Sequence, residues 1–316
     1  MGQALGYNSF FAWAQESTYG TPVAAAKWLE MESESLKNQR KYEYKPLLRF
    51  ISQARKIKTP QKFDGTVRLP LLWTGPEQLL KAAIGGVVTT GSNPYTHTFS
   101  LAAALHTGFT AYVNRDAAAL TGSSEFRYAG CKVTKMVLSQ KVGEFLMCEL
   151  SIVGDGSVAN VAASTPTYPT FDAIDYSHMT VFAINPAGSN VVLNIRELEI
   201  TIDNGLVDQR RLGSTKVGAY QRGSQRKVNW KFECEFASLT EYAYFRDLTE
   251  TDLQFKWLKD ANTDLTITMP KIVFDGMDPE SKETGPIYVP FEGTAQINAA
   301  DNDELSLVLK NATSSV

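Results

Sequence analysis

Apolar and polar residues alternate along most of the chain, and twice the alternation gives way to a helical stripe. Over residues 63–73, Val67, Leu69, Leu71 and Trp73 share one face at period two, which predicts a strand with one side in a core. Gly75 and Pro76 stop it. Proline suits the first turn of a helix, where a missing N–H costs nothing, and Glu77 favours the positive helix end. Leu79, Leu80, Ala83 and Ile84 form the helical stripe, which Gly85 and Gly86 end. The plan returns over 227–249. Val228, Trp230, Phe232, Cys234 and Phe236 face one way, and Asn229, Lys231, Glu233 and Glu235 the other. Ser238 is a natural N-cap with Glu241 completing a capping box, ahead of a stripe of Tyr242, Phe245 and Leu248.

Other segments fall around these two units. Residues 1–29 are aromatic-rich and turn at Tyr19, Gly20, Thr21 and Pro22, so they are expected to dock on the body or on a neighbouring copy. Residues 30–38 read as a strand with Glu30, Glu32 and Glu34 on one face. A loop is expected over 87–94, strands over 96–101 and 109–113, and a hairpin over 131–153 turning at Val142 and Gly143. Residues 154–176 are rich in Gly, Ser, Ala, Thr and Pro and read as a linker. Beyond it, strands at 180–185 and 191–204 lead to the second unit. Residues 255–258 then answer 110–113, 269–276 answer the start of the hairpin, and a last strand covers 305–310. The expectation is a mainly β, antiparallel chain with one packed helix and one long loop in each half. It divides into domains at 1–153 and 177–316, the second a duplicate of the first.

Length and composition permit this. The 316 residues suffice for two domains, and 43% hydrophobic with 21% charged residues is a globular balance. No run approaches a membrane span, and the first residues lack the basic and apolar regions of a signal peptide. Cys131, Cys148 and Cys234 are few and lie in strand-like runs, so they read as buried reduced thiols and point to folding in a cytoplasm.

Charge changes the picture more than composition does. The loop 39–62 carries Arg40, Lys41, Lys45, Arg49, Arg55, Lys56, Lys58 and Lys62 against Glu43 alone, around an apolar centre of Leu47, Leu48, Phe50 and Ile51. It reads as a protruding arm that docks on something acidic, with nucleic acid as the alternative. A second loop, 204–226, holds Arg210, Arg211, Lys216, Arg222 and Arg226 against Asp208. Near the end, Asp275, Asp278, Glu280, Glu283, Glu292, Asp301, Asp303 and Glu304 outweigh Lys282. Basic loops on one side and acidic turns on the other would attract identical copies head to tail, a contact that builds open filaments.

Catalytic patterns are missing by contrast. His97, His106 and His178 have no metal-ligand spacing and read as surface residues. Asp155 between two glycines lacks the glutamate of a calcium loop. The close pairs Asp172 and Asp175, and Glu197 and Glu199, read as surface acids. Asn311 heads a glycosylation sequon that is idle in a cytoplasmic product. No enzyme activity and no cofactor or metal is expected.

The run Glu16-Ser17-Thr18-Tyr19-Gly20-Thr21-Pro22 resembles the opening of major tail tube proteins of long-tailed, non-contractile bacteriophages. The similarity continues through the strand ending at Asp203 and Asn204, the strand–helix unit, residues 269–274, and the last strand ending at Asn311. It implies a β-sandwich or barrel tube domain with a flanking helix and a long loop reaching the adjacent ring. Stacked rings would form a hollow conduit for phage DNA, located in the virion tail and assembled in the host cytoplasm. Implied partners are the chain itself, tape-measure, tail-initiator and tail-terminator proteins, and DNA in transit, with no membrane. Two such domains per chain would let three chains make a pseudo-sixfold ring, the alternative being a hexamer. A lumen should avoid cationic walls, so Glu30, Glu32, Glu34, Glu197 and Glu199 are its candidates. The basic loops would lie between rings. The rival readings are a monomeric two-domain β-rich binding or adhesion protein and a glycan-processing enzyme.

Overall fold

The computed structural model describes residues 6, 9–45, 55–102, 104, 106–115, 125–162, 164–184, 191–192, 194–236, 239–276, 287–299 and 303–314. The first half of the chain runs β1 (Phe10–Gln15), β2 (Lys27–Leu29), β3 (Ser33–Glu34), β4 (Lys37–Gln39), β5 (Tyr42–Lys45), β6 (Arg55–Lys58), β7 (Lys62–Pro70) and α1 (Glu77–Ile84). It continues with β8 (Gly85–Gly91), β9 (Tyr95–Leu101), β10 (Phe109–Asn114), β11 (Glu125–Lys141), β12 (Met147–Gly154) and β13 (Val158–Val161). The second half runs β14 (Met179–Ile184), β15 (Val191–Val192), β16 (Ile195–Asp203), β17 (Leu206–Gln209), β18 (Ala219–Arg222) and β19 (Lys227–Glu235). After α2 (Leu239–Arg246) come β20 (Thr251–Asp260), β21 (Thr263–Gly276), β22 (Tyr288–Ala295) and β23 (Ser306–Asn311). The protein is mainly β, with a large antiparallel sheet.

Two long strands organise the pairing. The first part of β11 lies between β10 and β13, and its later part pairs with β12. Likewise β21 pairs early with β20 and β23 and late with β22. In β11 the register shifts between Cys131 and Tyr128 against β10, and between Val133 and Lys135 against β12. In β21 it shifts between Ile272 and Met269 against β20, and between Phe274 and Gly276 against β22. Such bulges bend a strand, which lets it pass from one layer to the next. Outside the long strands, β1 pairs with β10 as β14 pairs with β20, and β12 with β7 as β22 with β19. A short antiparallel hairpin precedes both β7 and β19, namely β5–β6 and β17–β18.

Two ladders join the halves. Residues 135–141 of β11 pair with 197–203 of β16, and β9 pairs along its length with β23. The core runs through both halves without a break, from Phe63, Trp73 and Leu79 to Trp230, Phe255 and Phe291. Aromatic rings cover cross-strand glycines: Phe63 faces Gly154 and Trp230 faces Gly293. A Cβ on Gly154 would lie 1.9 Å from the Phe63 ring, so only glycine fits there.

Several expectations are met and some change. Val67, Leu69, Leu71 and Trp73 are buried together, and α1 buries Leu79, Leu80, Ala83 and Ile84. Residues 87–91, expected as loop, belong to strand β8, because the apolar and β-branched run after Gly86 pairs with β9 around a turn at Asn93 and Pro94. The 154–176 stretch is no free tether. It contains β13, and its later part bonds back to the first half, where Ile174 N donates to Leu71 O and Leu146 N to Ile174 O. Leu248 lies past the end of α2 and is exposed, so it does not extend the helical stripe. Ser238 lies outside the described residues. The aromatic lead-in docks on the body as β1, which inserts between β2 and β10.

Candidate assembly surfaces

One face of a run of six adjacent strands is polar. β7, β12, β11, β16, β19 and β22 lie side by side in that order. Alternation sends Val67, Leu150, Leu138, Ile200, Trp230 and Phe291 into the core and their neighbours in sequence to the opposite face. Opposed positions on that face form rows across the strands. One runs Arg68, Glu149, Val137, Thr201, Asn229 and Thr294; another runs Ser139, Glu199, Lys231 and Glu292; a third runs Lys141, Glu197, Glu233 and Pro290. Cations on this face pair with anions, Lys141 with Glu197 at 2.7 Å and Lys231 with Glu199 at 3.4 Å. The Glu197 carboxylate holds the Lys141 ammonium above its usual range. Exposed pairs of this kind add little stability, but they leave the face without net cationic character. A depression of about 300 Å³ is lined from Arg68 on β7 to Glu292 on β22, so the face is hollowed across its middle.

The five lumen candidates separate here. Glu197 and Glu199 stand on the polar face. Glu32 reaches its rim by pairing with Arg68 at 2.5 Å. Glu30 is exposed just after β2. Glu34 turns the other way, opposite Val67, where Arg115 donates to both its oxygens at 2.7 and 2.8 Å. The expected single acidic face over 30–34 is thereby broken, because only residues 33–34 of that run are a strand.

The two basic loops contrast. In the first, Arg40, Lys41, Lys45, Arg55, Lys56 and Lys58 are all exposed. Every residue of β5 and β6 is exposed, including Tyr42 and Tyr44 at 51% each and Ile57 at 54%. Lys56 lies over the Tyr42 ring and Lys45 pairs with Glu43. Leu47, Leu48, Arg49, Phe50 and Ile51 lie outside the described residues. The second loop does not project freely: it lies on the first half. Tyr220 is 6% exposed and its hydroxyl donates to Gly154 O at 3.0 Å. Val217 is buried, with its N–H donating to Asp155 O, and Lys216 donates to Ser157 Oγ at 2.5 Å. Arg222 donates to Ala102 O at 2.8 Å; burial, and next the nearby Arg226, lower its pKa. Arg210 pairs with Asp208, and Arg211 is exposed.

The acidic residues divide similarly. Asp275 is exposed beside Thr294. Asp303 instead accepts from Glu304 N and Leu101 N, and Glu304 pairs with the half-buried Arg226 at 3.3 Å. Asp303 thereby ties the last strand's approach to the first half, and Glu304 orients Arg226, which donates to Leu101 O and Ala102 O. Asp278, Glu280, Glu283 and Asp301 lie outside the described residues.

Sequence reasoning missed the buried polar fasteners. Asn311, at the end of β23, donates to Trp73 O and Glu77 Oε1 at 2.8 Å each, and Glu77 also accepts from Gly75 N and Thr313 Oγ1. His97, expected at the surface, is fully buried between Thr89 Oγ1 and Asn311 Oδ1. Asn204, at the end of β16, donates to Ala83 O and Val133 O. Two asparagines of the second half thus grip the two ends of α1. Gln140 accepts from Trp257 Nε1 at 2.7 Å across the halves. Glu16, fully buried, accepts from Gly20 N, Thr110 Oγ1 and Gly130 N, which explains the glutamate that opens the N-terminal motif. His106 is partly buried near Lys132, which together lower its pKa to about 4; its Nδ1 accepts from Gly108 N. The available signal was a polar residue closing an otherwise apolar strand, which sequence alone does not distinguish from a turn residue.

Among the described residues no group of three or more His, Cys, Asp or Glu converges as a metal site, and no helix is long and apolar enough to cross a membrane. All three cysteines are buried and none is in a disulfide. Residues 6–295 match a family model described as phage tail tube protein. A comparison with curated proteins gives no match.

Proposed function

The chain belongs to the phage tail tube protein family, structural and non-enzymatic proteins of the virion tail, and on that premise we propose that it closes into rings of three chains. Each chain contributes two equivalent tube domains, and the stacked rings form the hollow conduit through which DNA leaves the particle. The resemblance of the N-terminal motif favours the tail of a long-tailed, non-contractile phage. One observation carries the ring reading. Within a single chain, the three-stranded sheet β7–β12–β11 is joined edge to edge to β16–β19–β22 through the ladder of Lys135–Lys141 positions against Asp203–Glu197 positions. Side-by-side joining of equivalent sheets is how a ring of tube domains closes, and open sheet edges that endanger a monomer become its bonds.

The polar face of this sheet is then the lumen wall. Its paired charges keep the wall from gripping phosphates, since net cationic walls would bind DNA through counterion release. The exposed basic hairpin β5–β6 carries the tip, with Leu47, Leu48, Phe50 and Ile51, toward the adjacent ring. Self-association and contacts with tape-measure, initiator and terminator proteins complete the tail.

Electron microscopy of the purified protein tests the reading. Rings or tubes whose symmetry is threefold in chains and sixfold in density are expected. A chain that stays monomeric at high concentration and under crowding overturns it.

A further inference from the structure

One end of the first half carries aromatic side chains that the core does not use. Residues 171–176 are fastened to the sheet there: Trp73 N donates to Asp172 O, Leu72 bridges Ala173, Phe145 bridges Asp175, and Tyr176 N donates to Glu144 O. On this segment and the adjoining β11–β12 turn stand Phe145, Phe171 and Tyr176, exposed by 43%, 48% and 49%. The Phe145 and Phe171 rings meet edge to face, with 5.8 Å between their centres. Phe145 and Tyr176 wall a depression of about 420 Å³ together with Met147, and its rim holds Glu32, Glu144 and Asp175. Arg68 in the same wall is already paired with Glu32, so the depression is acidic. Single exposed apolar residues are ordinary on a protein surface, but three aromatics held on bonded backbone around one hollow mark a contact surface.

The opposite end offers the complement. β12 begins beside these aromatics, with Met147 opposite Pro70, and ends with Gly154 opposite Phe63. At Gly154 the β17–β18 hairpin is seated through Tyr220 and Val217. Its tip is Arg210-Arg211-Leu212-Gly213-Ser214. Gly213 turns the chain at φ 86°, and Ser214 N donates to Arg211 O at 3.3 Å, so the leucine stands at the apex of a closed turn. Leu212 is 106% exposed, more than any other large apolar side chain described, and the neighbouring Arg211 is exposed too. An apolar knob among cations thus stands at one end of the first half's strands, and an aromatic hollow among carboxylates at the other.

We propose that the hollow between Phe145 and Tyr176 receives Leu212 of another copy, with Arg211 against its acidic rim. The occupant is a second copy because the two surfaces match in charge and in apolar character. They also lie at opposite ends of the same strands, where they cannot meet within one chain. A contact between two different faces of identical copies is heterologous and propagates. The proposal rests on the ring reading and adds a contact between rings, made by the seated hairpin of the second half; the exposed arm of the first half takes no part in it. Seating matters for this role. Tyr220 and Val217 fix the tip before a neighbour arrives, so little ordering cost falls on the contact.

Tube growth measured against protein concentration tests it. Burying one leucine per contact is worth about tenfold or more in association, so Leu212→Asp should raise the concentration needed for tubes at least about tenfold. Rings should still be seen by microscopy, and the melting temperature of the unassembled chain should not change, because Leu212 is fully exposed there. The hollow variant, Phe145→Ser with Tyr176→Ser, should raise the same threshold. Growth hindered by only one of the two variants overturns the pairing of tip and hollow. Loss of the rings themselves in Leu212→Asp would make the tip a lateral contact and overturn it as well. If both variants form tubes at the wild-type concentration, this contact is wrong while the ring reading stands. If the wild-type chain forms no rings, the ring reading itself fails and takes this one with it.

Discussion

Single buried polar residues do the fastening in this protein. Asn311 satisfies Trp73 O, Glu77 and His97 at once. Truncation leaves several buried groups unpaired, each worth about 1–3 kcal/mol. Asn311→Ala should therefore destabilise the chain by about 3 kcal/mol, read as a lowered urea midpoint with unchanged slope; a loss under about 1 kcal/mol would mean water replaces the amide. His106 gives a pH signature. Its pKa is lowered to about 4 in the folded chain against 6.5 for the free group. Between those values the unfolded chain binds a proton that the folded chain refuses, so stability falls as pH drops through that window and is unaffected above it. His106→Asn keeps an acceptor for Gly108 N and removes the titration. Melting temperatures at pH 7 and pH 5 should differ less in the variant than in the parent; an equal drop in both would assign the pH dependence elsewhere. Neither histidine role was legible in the sequence, because alternation places a residue on a face but does not say what lies over that face.

At the scale of elements, the same hairpin occurs in two environments. β17–β18 is held by Tyr220, Val217 and Arg222, whereas an isolated two-stranded hairpin such as β5–β6 is marginal by itself. In unassembled protein, Tyr220→Ala should cost about 3 kcal/mol, the usual range for truncating a buried aromatic, while Tyr44→Ala should change stability by less than about 0.5 kcal/mol. Denaturant unfolding of both variants at low concentration decides it, and equal costs would contradict the difference in seating. Both loops read as basic arms in sequence. Charge content was correct for both, but docking depends on what lies beneath, and Gly154, Asp155 and Ala102 are distant in the chain. The strand–helix units were legible because their periodicities are local. The β8 strand was not read, because its Gly-, Val- and Thr-rich run beside the Asn93–Pro94 turn looks like loop until β9 is fixed, and β9 is itself held by β23, the last strand of the other half.

For the whole molecule, the proposed lumen role of the polar sheet face has a consequence for DNA. Charge reversal of Glu197 and Glu199 to lysine removes two anions from the rows and frees Lys141 and Lys231 from their partners. Tubes of the double variant should bind duplex DNA at low ionic strength and release it as salt rises, while wild-type tubes should not bind, as read by co-sedimentation. Binding by wild-type tubes to the same extent would remove this face from the lumen. Of the acidic stretch near the end, read in sequence as a docking face, Asp275 is exposed while Asp303 and Glu304 are engaged with Leu101 and Arg226 inside the chain.

The sequence by itself determined the strands with one apolar side, the two strand–helix units, the burial of the three cysteines and the N-terminal motif that signals the family. These depend on spacing within a few residues, where alternation and helix periodicity act directly. Only the tertiary structure decided which strand edges meet, which charges are paired, and which of two similar basic loops is seated. Those outcomes depend on contacts between residues far apart in the chain, such as Asn311 with Trp73 and Asp203 with Lys135. The sequence carries the means for such contacts but not, read locally, their partners.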